Sequence, residues 1–223
     1  MKRTGLPKRN CVLIGIFFSL TVAFLTSCSL FQSGTPTGPR VAKLPPPPPE
    51  PPKEQVPYTE VNLDCPLSLV SNPKIYVYKS DRRLLLVNNG VLVREYPIGL
   101  GFSPNGDKFM RGDGRTPEGQ FFICAKNPNS RFYKSLGLNY PDPRHAEKAL
   151  VWGAISLEDF RNIVEAAEGK RRPPSNTVLG GDIFIHGGGA GRDWTWGCVA
   201  VRNSAMDELF SIVSVGTPVE VMP

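Results

Sequence analysis

The sequence predicts a mainly β domain over residues 67–223, built as a β-sandwich or mixed sheet with two or three packed helices. Short runs of β-branched and aromatic residues recur between turns rich in glycine and proline, which is typical of strands. An Asn-Gly turn joins two of these runs, and helices are predicted only at 157–168 and 204–213. About 157 residues are enough to bury a sizeable core, so we expect one domain.

The first three strands are predicted from residue type and from one turn. Residues 75–78 are β-branched and aromatic, which strands favour. The runs 83–87 and 91–96 flank Asn88-Asn89-Gly90, and an Asn-Gly pair readily adopts the positive φ of a tight turn. We therefore expect these two runs to form a hairpin.

A loop and four further strands follow the hairpin. The segment GFSPNGDKFMRGDGRTPEGQ contains five glycines and two prolines, which favours a structured loop over a regular element. Later strands are expected at 120–125, 182–185, 199–201 and 217–222.

Two helices are predicted from spacing and from capping residues. Apolar residues recur at helical spacing over 157–168, and Ser156 is suited to the N-cap. Ser204 and Asp207 resemble a capping box that would open a last helix ending near residue 213.

The N-terminus has the pattern of a secretory signal. Four basic residues and no acid precede an apolar run at 11–25, shorter than the roughly 20 residues of a membrane-spanning helix. The run ends in LTSC at 25–28, which resembles a bacterial lipobox. We therefore interpret residues 1–27 as a lipoprotein signal peptide that leaves Cys28 lipidated; an ordinary signal or an uncleaved anchor are the alternatives. The protein would then be periplasmic and lipid-anchored, and by resemblance to lipoprotein sorting signals Ser29 favours the outer over the inner membrane.

Residues 28–66 are expected to be a proline-rich linker. They include five consecutive prolines at 45–49. Proline fixes φ and lacks a backbone donor, so this stretch is neither a helix nor a central strand. It is typical of a polyproline spacer between an anchor and a domain.

The charge balance argues against nucleic-acid binding. The chain has 26 basic and 20 acidic residues, but the signal contains four of the basic ones, which leaves 22 against 20. No basic stripe interleaved with aromatic residues remains, so no nucleic-acid partner is expected.

The stretch IHGGGAGRDWTWGCVA brings a histidine, glycines and a cysteine together. His186 ends a predicted strand, a glycine-rich loop turns the chain, and Cys198 begins the next segment, so the two side chains can meet. Thiolate is the nucleophilic form of cysteine, and an adjacent imidazolium would lower the pKa of the thiol. Gly197 would let a substrate approach the backbone, where N–H groups can bind an oxyanion. A structural thiol or a metal site is the rival interpretation.

The remaining cysteines and the second histidine carry weaker signals. Cys65 and Cys124 could form a disulfide, although a small buried thiol is the simpler interpretation of Cys124. His145 lies in the proline-rich YPDPRHAEK and is expected to be exposed and structural. Neither His-x₃-His nor Cys-x₂-Cys occurs in the sequence, so no metal and no cofactor are expected.

Three motifs together resemble the L,D-transpeptidase catalytic domain (YkuD-type) family. IHGG…DWTWGCVAV is similar to its histidine and Gly-Cys nucleophile segment, GDGRTPEGQF to its Thr-Pro-x-Gly turn, and YVYKSDRRLLLVNNG to its opening hairpin. The resemblance covers about residues 74–221. It implies a YkuD-like β fold and a cysteine acyltransferase that acts on peptidoglycan stem peptides.

The resemblance also implies roles for individual residues. Cys198 matches the nucleophile and His186 the base, while the carbonyl of Gly187 matches a group that orients the imidazole. The amides of Gly197 and Cys198 are candidates for the oxyanion hole.

Four further residues are our own inference for substrate binding. Guanidinium groups pair well with the free carboxylates of wall peptides, and aromatic rings can form the wall of a groove. The alternatives are exposed surface charges and core packing, and Asp193 is expected to brace the loop. The four residues are Arg192, Arg202, Trp194 and Trp196.

One departure from the family pattern leaves the reaction open. Many members carry a second histidine just before Gly-Cys, where this chain has Trp196. This departure resembles a divergent branch that includes hydrolases. Transfer between stem peptides, hydrolysis of a peptidoglycan–protein or peptidoglycan–peptide amide, and non-catalytic wall binding remain as hypotheses. A wall-linked protein and the membrane, through Cys28, are the other expected partners.

Overall fold

The computed structural model describes residues 56–223. The predicted signal peptide, Cys28 and the greater part of the predicted linker lie outside the described residues. No helix between residues 56 and 223 combines the length and the apolar character needed to cross a membrane.

Residues 56–223 form nine strands and three helices, which confirms a mainly β fold. All nine strands belong to one mixed sheet of order β1-β4-β3-β2-β9-β5-β6-β7-β8, in which β1/β4, β2/β9 and β7/β8 are the parallel pairs. In chain order the elements are β1 Glu60–Val61, β2 Pro73–Tyr78, β3 Arg83–Asn88, β4 Val91–Pro97, β5 Gly119–Ser130, β6 Tyr133–Leu138, α1 Pro143–Val151, α2 Leu157–Glu168, β7 Phe184–His186, β8 Val199–Ala200, α3 Asn203–Ile212 and β9 Pro218–Met222.

The predicted hairpin is confirmed. Strands β3 and β4 pair antiparallel around Asn89 and Gly90, whose φ angles are 51° and 82°. Gly90 accommodates this left-handed conformation because it lacks a Cβ. Strand β1 then adds to the outer edge of β4, so two residues of the predicted linker take part in the sheet.

The second half of the sheet differs from the prediction. Strand β5 runs to Ser130, five residues beyond its predicted end, and pairs with β6, which was not predicted. Strand β7 begins at Phe184 rather than at residue 182, because Asp182 adopts a left-handed φ of 60°. These are the strands that carry the chain to His186.

The two predicted helices are present, with one correction. Helix α2 matches its predicted bounds, and Ser156 and Asp159 form a capping box. The capping box predicted at Ser204 is wrong, since α3 begins at Asn203 and its N-cap makes no side-chain hydrogen bond. Asp207 instead accepts hydrogen bonds from Lys134 (2.6 Å) and from the Tyr133 hydroxyl.

The prediction that His145 is exposed in a loop is wrong. Residues 143–151 form α1, and His145 is buried on its inner face. Asp142 caps the helix by accepting the amide of His145 at 2.8 Å, and Pro143 occupies the first helical position. An Asp-Pro pair before an alanine-containing run is the signal that could have predicted this helix.

The principal core lies between α3 and the face of the sheet to which β7 and β8 contribute. Ile185 and Val199, which are paired in register, are both fully buried in it. The burial of these two residues fixes the positions of β7 and β8. His186 is the last residue of β7, and Cys198 immediately precedes β8.

Candidate active site

Cys198 and His186 lie at the ends of two neighbouring parallel strands, β8 and β7. His186 is the last residue of β7 and pairs in register with Ala200, while Cys198 immediately precedes β8. Two cavities meet at Cys198, and both are also lined by Asp182. The cysteine can therefore be approached from two sides.

The two cavities differ in chemistry. The first cavity has a volume of about 450 Å³. Its lining includes two cations, Lys108 and Arg111, and the indole ring of Trp196. The second has a volume of about 270 Å³ and contains His186, and its lining is mostly apolar. Its remaining lining residues are Asn127, Ser130, Arg131, Phe132, Ser135 and Phe184.

The His186 ring is held by one hydrogen bond and two aromatic rings. Its Nδ1 lies 2.6 Å from the carbonyl oxygen of Gly187, to which it donates, so Nε2 is the nitrogen with the free lone pair. The ring stacks on Phe132 at 4.7 Å between centroids and meets Trp194 edge-on at 5.6 Å. Burial lowers the pKa of His186, and the Gly187 carbonyl only partly offsets this effect.

The Cys198 sulfur has two backbone partners. Its Sγ accepts the amide of Phe184 at 3.4 Å and donates to the carbonyl oxygen of Asp182 at 3.6 Å. Burial raises the pKa of Cys198 to about 11, although the Phe184 amide and the positive charge of Lys108 act in the opposite direction. Within the described part of the chain, no hydrogen bond joins Sγ to His186. Burial works against the charged form of both groups, and the expected thiolate–imidazolium pair stays a prediction.

One of the two expected oxyanion donors is already occupied. The amide of Gly197 donates to Thr195 Oγ1 at 3.1 Å, and Thr195 Oγ1 itself donates to the carbonyl of Cys198 at 2.7 Å. The amide of Cys198 makes none of the hydrogen bonds found among residues 56–223. The Cys198 amide is thus the donor that is available next to the sulfur.

Gly197 fits only as glycine. Its φ is 124°, and a Cβ at this position would lie 2.5 Å from the carbonyl oxygen of Arg115. The nucleophile segment therefore packs directly on the backbone of the glycine-rich loop at 101–120.

The Thr-Pro turn of that loop is an anchored support. Thr116 is fully buried, and its Oγ1 accepts the amide of Gly101 at 3.1 Å. The carbonyl of Thr116 accepts the ammonium of the buried Lys79 at 2.9 Å, and the same ammonium pairs with Glu118 at 2.7 Å. The turn is thereby tied to the connection between β2 and β3, which contains Lys79.

Asp193 braces the loop between His186 and Cys198, as predicted. Its carboxylate pairs side by side with the guanidinium of Arg82, with an Nη2–Oδ2 distance of 2.7 Å. It also accepts the amide of Leu100 at 2.9 Å. The loop between His186 and Cys198 is thereby fixed to the connection between β2 and β3, which contains Arg82.

The four residues inferred to bind substrate lie in different places. Arg192 is exposed and lines a separate cavity formed by residues 188–192 and Trp194. Arg202 is also exposed and lines neither of the two cavities that contain Cys198. Trp194 is half-buried against the His186 ring. Trp196 is 70% exposed, packs edge-on against Phe102 at 4.9 Å and lines the first cavity.

Sequence reasoning missed two cations that line the first cavity together with Cys198. Lys108 and Arg111 come from the glycine-rich loop and carry no local motif that would mark them as site residues. Phe132, which stacks on His186, lies in the turn before the unpredicted β6. Cys65 and Cys124 are both free thiols.

The chain matches one known protein family. The model of the YkuD family, the L,D-transpeptidase catalytic domain, matches residues 72–221. No curated protein matches the chain.

Several solved structures are similar to the chain at low identity. An L,D-transpeptidase from Xylanimonas cellulosilytica is 17% identical, covers 68% of this chain and 61% of its own, and has a TM-score of 0.41. The helical cell shape determining protein Pgp2 from Campylobacter jejuni is 21% identical over 67% and 47%, with a TM-score of 0.45. An L,D-transpeptidase from Mycobacterium smegmatis is 13% identical over 68% and 59%, with a TM-score of 0.41. This chain thus spans about half to three fifths of the length of these proteins.

Proposed function

Since the chain belongs to the YkuD family of L,D-transpeptidase catalytic domains, we propose that it is a cysteine acyltransferase acting on peptidoglycan stem peptides. Cys198 is the nucleophile and His186 the base. The observation that carries this proposal is the position of Cys198 between two cavities, one of which also contains His186. A substrate that spans both cavities places its scissile amide at the sulfur.

The first step is attack by a neutral thiol under general-base catalysis. Gly187 holds the Nδ1 proton of His186, which leaves Nε2 as the base. Sγ turns from the Asp182 carbonyl toward Nε2, and its proton passes to the ring as the sulfur attacks the carbonyl carbon. Proton transfer is coupled to attack because burial disfavours both charged forms in the resting enzyme.

The second step forms a thioester. The attack has formed the C–S bond and turned the carbonyl oxygen into an oxyanion, which accepts a hydrogen bond from the amide N–H of Cys198. The intermediate then collapses, the C–N bond breaks, and His186 returns the proton to the leaving amine. An amine from a second stem peptide next attacks the thioester while His186 accepts its proton. The acyl group leaves on the new amide, and the proton returns to the sulfur.

Hydrolysis is the second candidate function. Water would replace the amine in the last step and release a peptide or a wall-linked protein. The feature that favours it is Trp196, which occupies the position of the motif's second histidine and is 70% exposed at the rim of the first cavity. A non-catalytic wall-binding lipoprotein is the third alternative.

The proposed location follows from the signal sequence. We propose that Cys28 is lipidated and anchors the domain in the periplasm, with the outer membrane favoured by Ser29. Cys28→Ala should move the protein from the membrane fraction to the soluble fraction. A variant that stays in the membrane fraction would contradict lipidation.

The activity test uses purified sacculi incubated with the protein and analysed by mass spectrometry. New cross-links support transfer, whereas freed peptide or protein without cross-links supports hydrolysis. Cys198→Ala removes the attacking sulfur and should abolish either product. An unchanged digest with folded wild-type protein would support the wall-binding alternative.

A further inference from the structure

Lys108 is a buried cation at the sulfur that the proposed mechanism leaves without a task. It is only 4% exposed, yet it lines the first cavity together with Cys198. A charged group is rarely kept buried unless its neighbours compensate it. Its position therefore calls for an account of each of its donors.

Two of the three ammonium protons have partners. Lys108 Nζ donates to the carbonyl of Met110 at 3.0 Å and to Asp113 Oδ1 at 2.6 Å. A lysine ammonium has three N–H donors. Within residues 56–223 the third has no hydrogen-bond partner. The Tyr140 ring centroid lies 6.0 Å from Nζ. A charged group on a cavity wall with one donor outside the hydrogen bonds of the protein is suited to an anionic group of a ligand.

The surrounding charges favour an anion in this cavity. Arg111 adds a second cation to the lining, and its guanidinium donates to the carbonyl of Ser175. Asp182 is the acid in the lining, and its carboxylate pairs with Arg172. Asp113 is already committed to Lys108 and to the backbone amides of the loop.

The position of His186 sets the direction of the substrate. The leaving amine must receive its proton from His186, which lies in the second cavity. The acyl part of the substrate must then extend into the first cavity, beside Lys108.

We propose that Lys108 determines specificity by binding a free carboxylate on the acyl side of the scissile amide. This inference rests on the proposed function and adds the substrate class, namely stem peptides whose acyl portion carries an uncapped carboxylate. Arg111 assists as a second cation at the exposed edge of the same cavity.

The test compares three synthetic stem peptides: one with all carboxylates free, one amidated on the acyl side and one amidated on the leaving-group side. Because a charged hydrogen bond is lost, acyl-side amidation should reduce kcat/KM of the wild-type protein by roughly 10- to 100-fold. Lys108→Met should reduce kcat/KM for the free peptide and abolish this discrimination. Leaving-side amidation should change both proteins equally.

Lys148→Met is the matched control, since Lys148 is an exposed lysine outside the first cavity. It should keep the wild-type discrimination. The ratio of the two kcat/KM values is measured on one preparation, so partial unfolding of Lys108→Met does not change it. If Lys108→Met proves too unstable to assay, Lys108→Met/Asp113→Asn, which removes the charge of both partners, replaces it.

The outcomes separate the two proposals. Undiminished discrimination in an active Lys108 variant, or equal activity of the wild-type protein on both peptides, would overturn the role of Lys108 and leave the acyltransferase intact. Wild-type protein that neither converts any peptide nor forms a Cys198 adduct would overturn both.

Discussion

The two histidines occupy similar surroundings and are driven in opposite directions. His145 and His186 are 4% and 2% exposed, and each ring packs against two aromatic side chains. Burial by itself disfavours the charged form of both. The difference lies in what the ring nitrogens face.

His145 faces carboxylates on both sides. Its Nδ1 is hydrogen-bonded to Asp142 and its Nε2 lies 3.0 Å from Asp107. Burial acts to lower the pKa of His145, but the hydrogen bonds and charges of Asp107 and Asp142 outweigh it and raise the pKa. His186 has only the Gly187 carbonyl, so its pKa is lowered. The surroundings of His145 thus favour its charged form, whereas those of His186 favour its neutral form.

The largest expected effect comes from replacing each histidine with asparagine and comparing the activities of the two variants. His186→Asn removes the base, so kcat/KM should fall about 1,000-fold, as is typical for loss of general-base catalysis. His145 lines neither of the two cavities that contain Cys198, so His145→Asn should lower kcat/KM per folded molecule far less than His186→Asn does. Steady-state assays with the free stem peptide, corrected for the folded fraction, measure both. Equal losses would mean that the assigned roles are wrong.

Stability should show the reverse pattern. His145→Asn removes the ring that hydrogen-bonds both Asp107 and Asp142, which should cost about 1–3 kcal/mol of the free energy of unfolding. His186→Asn should cost much less, because it leaves no buried charge unpaired. Urea unfolding followed by circular dichroism provides the comparison, and a larger loss in the His186 variant would contradict it.

The same pair predicts a pH dependence of stability. The folded state raises the pKa of His145, so its contribution is complete below the unfolded value of about 6.5 and is lost as pH rises through the folded value. Arg144 and Lys148 also face Asp107 and keep their charge over this interval, so the change belongs to His145. Wild-type stability should therefore fall as pH rises above about 6.5 more steeply than that of His145→Asn. Parallel curves would contradict a charged His145.

Alkylation of Cys198 tests the neutral state of the catalytic pair. A pKa of about 11 should make the reaction with iodoacetamide at pH 7 about 100-fold slower than that of an ordinary thiol of pKa about 9. The rate is measured in a Cys65→Ser/Cys124→Ser background, so that only Cys198 of the described domain reacts. A rate plateau that begins near pH 6 would instead indicate a preformed ion pair.

The smallest expected effect comes from Phe132. Phe132→Leu removes the ring that stacks on His186 while keeping an apolar side chain. An aromatic pair is worth about 0.5–1.5 kcal/mol, so kcat should fall several-fold with little change in KM. Phe121→Leu, which removes the ring beside His145, is the control and should leave kcat unchanged. A kcat that is insensitive to Phe132 would show that Gly187 and Trp194 are sufficient to orient the His186 ring.

Much of the fold could be predicted because its signals are local. The Asn-Gly turn, the apolar spacing of α2 and its Ser156 cap depend on residues within a few positions of one another. The missed elements either had a weak local signal, as α1 did, or depend partly on a partner distant in the chain, as β6 does through β7. Strand β6 pairs with β5 and β7, and the left-handed φ of Asp182 delays the start of β7.

The sequence by itself determined the mainly β class, the family and the pairing of His186 with Cys198 as candidate chemistry, because these depend on residue type and short spacing. Only the tertiary structure decided that Lys108 borders the sulfur, that the Gly197 amide is occupied and that His145 is buried between two acids. It also decided the direction in which the pKa of the thiol and of each imidazole is shifted. The physical reason is that a pKa responds to burial and to charges through space, and a sequence does not specify which distant side chains come within a few ångströms of one another.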